Sequence, residues 1–171
     1  MSVGLEHAQP KEVSLSALRE VALFGALSDE ALRFLIDLLK LRTLVPGEAA
    51  FREGDSAREM FVVLSGELEV LKGSRRGRDL RVAVLGPTDC FGEMSLIDMQ
   101  PRSATVRAIS PSRLLRMTSE DMDALYRYDL KSYAVITLNV ARDLSRRLRV
   151  ADGLLAAFMA SVLDEYVDGK K

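Results

Sequence analysis

Residues 91–104 read FGEMSLIDMQPRSA, a largely apolar and small-residue stretch in which Glu93 and Arg102 stand nine positions apart. Arginine presents a planar fork of donors matched to phosphate or carboxylate. A glutamate accepts only, which suits a sugar hydroxyl. Gly92, Ser95, Ser103, Ala104 and Thr105 are small enough to let backbone N–H groups approach an anion, and three of them add hydroxyls. Leu96 and Ile97 offer apolar support. If both charged groups face one pocket, they define a ligand with a hydroxyl and a phosphate close together. If they face each other within a sheet, they form an ordinary salt bridge.

Little else in the chain could do chemistry. His7 is the single histidine and lies in a polar lead, and Cys90 is the single cysteine, at the end of an apolar run where burial is its natural role. Asp98 stands near Glu93 with no metal-ligating or basic group beside it, so a paired-carboxylate site has no support. The reading is therefore a non-enzyme without metal or cofactor. One cysteine excludes an intrachain disulfide and fits a reducing compartment, the cytoplasm. With 24 basic and 25 acidic side chains there is no global field favouring nucleic acid. No run of eighteen apolar residues and no leader pattern occurs, which excludes a membrane-spanning helix and secretion as expectations.

The elements that must position these residues change texture twice. Residues 1–15 read as a flexible lead. Apolar residues from Leu18 to Leu39 recur at helical spacing, with Ser28 as an N-cap before DEAL, which predicts a short helix, a turn near Phe24 and Gly25, and a second helix to about Lys40. From Arg42 to about Met117, short runs rich in Val, Leu and Phe end at glycines, which predicts short strands in an antiparallel sandwich or barrel. Phe61 and Val63, then Leu68 and Val70 across the turn at Ser65 and Gly66, alternate as on a strand with one buried face. KGSRRGRDLR reads as an exposed hairpin loop, either solvated or a partner or nucleic-acid contact. Past a cap at Thr118 or Ser119, a long helix from about Leu130 to Val167 carries Ala141, Leu144, Leu148, Ala151, Leu155, Phe158 and Val162 three and four apart. That stripe packs within the chain, or in its later half against a second copy in a parallel two-fold dimer. Gly153 is the place where a break would split it.

PGEAAFREGDSAREMFVVLSGELEVL and FGEMSLIDMQPRSATV together resemble the cyclic nucleotide-binding domain, over roughly residues 20 to 152. The resemblance implies a mainly β fold: an antiparallel jelly-roll sandwich with N-terminal helices and a long C-terminal helix, binding domain 16–152, helical extension 153–171. It implies a phosphate-binding cassette around Gly92, Glu93, Met94 and Ser95, with Glu93 on the ribose 2′-hydroxyl and Arg102 on the cyclic phosphate. Ser103 and the N–H groups of Ser103 and Ala104 would assist, and Phe61 to Leu64 would wall the base. Gly47, Gly54 and Gly66 match turn glycines. Aligning DLSRRLRVAD places Arg147 well and puts Ala151 and Asp152 where the family has two hydroxyl side chains on adenine; Asp152 could accept from the adenine amino group. The implied ligand is cyclic AMP, with cyclic GMP second, and the implied output runs through a homodimer or a protein partner. Nineteen residues after Asp152 leave no room for the family's helix-turn-helix, so no DNA contact through that module is expected. The alternative is a degenerate or cyclic dinucleotide-binding version that serves as an interaction module.

Overall fold

The computed structural model describes residues 13–168 except Ala57, Arg75 and Arg76, with side chains described to Leu163. His7, most of the lead and part of the basic loop thus lie outside the described residues. The described chain begins earlier than the sequence suggests: Val13 is buried, and Ser14 caps α1 (Leu15–Glu20) by accepting from the Ala17 N–H. A 3₁₀ turn (Ala22–Phe24) leads to α2 (Asp29–Leu38), capped by Ser28 as its sequence requires.

Eight strands follow: β1 (Lys40–Leu44), β2 (Ala49–Phe51), β3 (Glu59–Ser65), β4 (Leu68–Gly73), β5 (Asp79–Leu85), β6 (Cys90–Phe91), then β7 (Thr105–Ala108) and β8 (Ser112–Thr118). They form two antiparallel sheets in the orders β1-β8-β3-β6 and β2-β7-β4-β5. Sequence neighbours are thereby spread over both sheets, as in a jelly roll. Between β6 and β7 lies the short α3 (Glu93–Asp98). Thr118 and Asp121 make a reciprocal capping box at the start of α4 (Ser119–Tyr128), and α5 (Leu130–Asp168) completes the chain.

Strand β3 explains why the MFVVL run is apolar throughout rather than alternating. Phe61 and Val63 point into the sandwich with Leu68, Val106 and Leu114, while Met60 and Val62 point out against Leu35, Leu125 and Ile136 of the helices. Both faces are buried, and a strand buried on both faces has no polar side. Helix α5 joins this second core through Ile136 and Val140, with Leu144 partly covered. Asn139 Nδ2 ties it to the 3₁₀ turn by donating to the carbonyls of Leu23 and Gly25 at 3.0 and 3.1 Å. The helix passes Gly153 unbroken. Beyond Leu144 the described residues offer no cover: Leu148, Leu155, Phe158 and Val162 are all exposed. Intrachain packing therefore accounts for the first part of the stripe only. Among the described residues no helix is long and apolar enough to cross a membrane.

Candidate functional site

The 91–104 stretch forms a strand end, a tight turn, a helix and a return loop. Gly92 stops β6 in a left-handed conformation (φ 81°) and opens α3. A Cβ there would stand 2.7 Å from Arg102 Nη1 and 3.2 Å from both the Glu59 carbonyl and the Phe51 ring. Only glycine fits, for its backbone angle and for the guanidinium packed against it. The return loop is pinned to the β2–β3 turn, since Arg102 N–H donates to Asp55 O and Gly54 N–H to Arg102 O, each at 2.9 Å.

Glu93 and Arg102 are both 2% exposed, yet they do not pair with each other. Arg102 Nη1 donates to the Gly92 carbonyl at 2.9 Å, its Cζ lies 3.9 Å from the Phe51 ring centroid, and its Nη2 stands 3.8 Å from Glu59 Oε1. Its Nε and Nη2 have no hydrogen-bond partner. Glu59 is shared, since its other oxygen accepts from Arg116 Nε. Burial works against the Arg102 charge, opposed by Glu59, Asp55 and Glu93. Glu93 Oε1 accepts from Arg147 Nη1 at 3.1 Å, while Oε2 is buried without a partner. The salt-bridge reading of the two residues is thus replaced by two separate half-filled groups. An unfilled buried donor or acceptor costs about 1–3 kcal/mol, more when charged, which marks both as prepared for something else.

Arg147, placed by the alignment on α5, does reach the site. Besides Glu93 it donates through Nη2 to the Cys90 carbonyl at 2.6 Å, so α5 is tied directly to the start of the cassette, and it forms an ion pair with Asp143 Oδ2 at 2.8 Å within the helix. Cys90 is buried, and burial followed by Glu93 and Asp143 pushes its thiol up to about 12, which keeps it protonated and inert. Ser95 is buried, Ala104 is half-buried, and Ser103 Oγ lies 3.8 Å from the Met94 sulfur at the open side. Asp152 is exposed on the free part of α5 and is not brought to the site within this chain. Phe61, Val62 and Val63 are 0–1% exposed in the two cores, and Leu64 is partly buried against the helix-side core. The edge strand β5 exposes Leu80, Val82 and Val84. Leu80 pairs with Lys72, whose ammonium donates to the Ser103 carbonyl, so β5 borders the cassette. Lys72, Glu59 and Phe51 are site residues that the sequence reading missed; each is a lone polar or aromatic group in a strand, with no motif to single it out.

Burial raises the Glu93 pKa, opposed chiefly by Arg147. A carboxyl raised in the fold contributes stability that is full below its unfolded value near pH ~4.3 and is lost as pH rises through the folded value. Glu93→Gln keeps an acceptor for Arg147 and never ionises. It is expected to raise the melting temperature at neutral pH relative to the parent chain, the gap closing as pH falls to about 4. A gap that does not change with pH in a thermal series would show that the Glu93 charge carries no cost.

A family model described as the cyclic nucleotide-binding domain matches residues 41–129. The chain belongs to that family. It is 34% identical over 130 residues to the cyclic AMP receptor protein of Thermus thermophilus, covering 76% of this chain and 58% of that one. The crystal structure of a cyclic nucleotide-binding domain from Methylobacillus flagellatus superposes with a TM-score of 0.76 at 26% identity, covering 90% of this chain and 87% of that one. The regulatory domain of Toxoplasma gondii PKA, crystallised with cAMP, superposes with a TM-score of 0.59 at 32% identity, over 64% of this chain and 42% of that one. The chain spans less than two thirds of the length of curated relatives it matches, such as the Thermus protein at 58%.

Proposed function

We propose that the chain is a cytoplasmic regulatory sensor of a cyclic purine mononucleotide, with cyclic AMP preferred over cyclic GMP. One observation carries the reading: a buried glutamate and a buried arginine in one cassette each hold hydrogen-bonding capacity that the protein leaves unfilled. Glu93 Oε2 accepts the ribose 2′-hydroxyl, and Arg102 Nε and Nη2 donate to the exocyclic phosphate oxygens, filling the three unpartnered atoms. Gly92 admits the ribose closely, Met94 and Ser95 complete the cassette helix beneath it, and Ser103 Oγ and the Ala104 N–H assist at the anion. Arg147 holds Glu93 from the α5 side. The base lies along the open side chains of β5, and Asp152 of a second copy accepts from the adenine amino group.

The signal leaves through α5. A cavity of about 510 Å³, lined among others by Glu93, Leu96, Ile97, Tyr126, Tyr133 and Val140, lies between α3 and the α4–α5 pair. It gives α3 and α5 room for a second packing. Nucleotide affinity that differs between the two packings couples the site to a dimer or partner surface, at about 1–3 kcal/mol for couplings of this kind.

Titration calorimetry against cyclic AMP, cyclic GMP, cyclic di-GMP and 5′-AMP tests the reading. The expected result is a Kd of about 1 μM or below for cyclic AMP and much weaker heats for the others. Absence of heat at two temperatures, about 25 °C and about 10 °C, with no thermal shift, would refute it; the two temperatures guard against an enthalpy that happens to vanish.

A further inference from the structure

On the cyclic nucleotide reading, one more group prepares the anion's seat from outside the cassette. Lys72, on β4, donates its ammonium to the Ser103 carbonyl and to Glu53 Oε1 at 2.6 Å. Glu53 is fixed in turn: its Oε2 accepts from the Gly73 N–H at 2.9 Å, and its own N–H donates to Thr105 Oγ1 at 2.9 Å. The Lys72 ammonium and the Gly73 N–H hold the Glu53 carboxyl below its ordinary range. It joins three segments distant in sequence: the β2–β3 turn, the end of β4 and the loop that follows Arg102.

The Ser103 C=O and the Ala104 N–H belong to one planar trans peptide and point in opposite directions. Whatever grips the carbonyl sets where the N–H points. A cation on the carbonyl also polarises the amide, so that its N–H becomes a stronger donor. Among the described residues the Ala104 N–H has no hydrogen-bond partner. We infer that Lys72 is a positioning residue for nucleotide binding, which acts by turning and polarising the Ser103–Ala104 peptide so that the Ala104 N–H donates to the cyclic phosphate beside Arg102. Lys72 touches the ligand only through that peptide. The neighbouring bonds of Arg102 N–H to Asp55 O and Gly54 N–H to Arg102 O fix the two preceding peptides, one each, so the loop presents its donors as one rigid unit.

The test compares the parent chain with Lys72→Met, which keeps the stem, and Lys72→Arg, which keeps a cationic donor. Cyclic AMP titration by calorimetry is read alongside the Ala104 amide resonance in the nucleotide-free protein. Lys72→Met is expected to lose about tenfold in affinity and to move the Ala104 amide proton upfield, while Ser95 in α3 stays in place. Lys72→Arg should recover to within about threefold of the parent. Lys72 is exposed, so the melting temperature should barely move. Parent binding with equal affinity in Lys72→Met overturns the positioning role alone, as does a loss of affinity with an unmoved Ala104 amide. A parent chain that does not bind overturns the sensor reading and this inference with it.

Discussion

Arg102→Ala is expected to weaken cyclic nucleotide binding by at least tenfold, on the order of a hundredfold, while the chain folds as before. A hydrogen bond to a charged group contributes roughly 1.5–3 kcal/mol, and two free donors on one fork, Nε and Nη2, are available for the anion. In the nucleotide-free fold the same guanidinium is a liability. It sits 2% exposed with one hydrogen bond, to the Gly92 carbonyl, one carboxylate 3.8 Å away and the Phe51 face beneath it. Removing it discards the Phe51 packing and relieves a poorly paired buried charge. These two effects oppose each other, so the melting temperature should change little. Arg102→Lys separates charge from geometry: an ammonium keeps the charge and loses the fork, so its affinity should fall between the parent and the alanine variant. Calorimetry with cyclic AMP, supported by thermal unfolding, reads both. Unchanged affinity in a folded Arg102→Ala protein would remove Arg102 from the site.

The same pair of residues shows what a sequence can say. Glu93 and Arg102 were legible because small residues crowd a charged pair in an apolar setting, which local sequence records directly. The sandwich was legible because its turns need glycine and its strands need Val, Leu and Phe. The double burial of β3 was not. Phe61 to Leu64 read as a strand with one buried face, but helices cover the other face, and burial on both sides removes the polar alternation that would have marked an opening. Lys72, Glu53 and Glu59 were silent for a different reason. Each lies far along the chain from the residue it serves: the β4–β7 pairing brings Lys72 to Ser103, and the hydrogen bonds of the Arg102 loop to the β2–β3 turn bring Glu59 to Arg102. Arg147 was found only by aligning DLSRRLRVAD with the family's long helix, since its partner is 54 positions away.

Replacing Leu155 and Phe158 together with glutamate is expected to convert a dimer to a monomer. On α5 the residues Leu148, Leu155 and Val162 repeat every seven positions, and Ala151 and Phe158 repeat three positions later, which is the spacing of a coiled-coil seam. The sandwich cannot cover them. Its cover ends at Leu144, and the exposed large side chains beyond include Leu148, Leu154, Leu155, Phe158, Met159, Val162 and Leu163. Burying a leucine or phenylalanine contributes about 1.5–3 kcal/mol, so a seam of this length in water is worth far more paired than single. A partner helix of the same sequence supplies matching spacing and is present at equal concentration, which favours a second copy over an unrelated partner. Two glutamates in the seam remove two large contributions and place like charges across from each other. Sedimentation equilibrium should show a dimer for the parent and a monomer for the double variant, both with the same melting behaviour of the sandwich. The two species also separate the local contacts from those a second copy provides. Glu93 and Arg102 are complete within one chain, whereas Asp152 lies on the free part of α5. The monomer should therefore keep most of its affinity for the ribose and phosphate and lose its preference between cyclic AMP and cyclic GMP. A parent chain that sediments as a monomer would show that the stripe does not pair with its own copy.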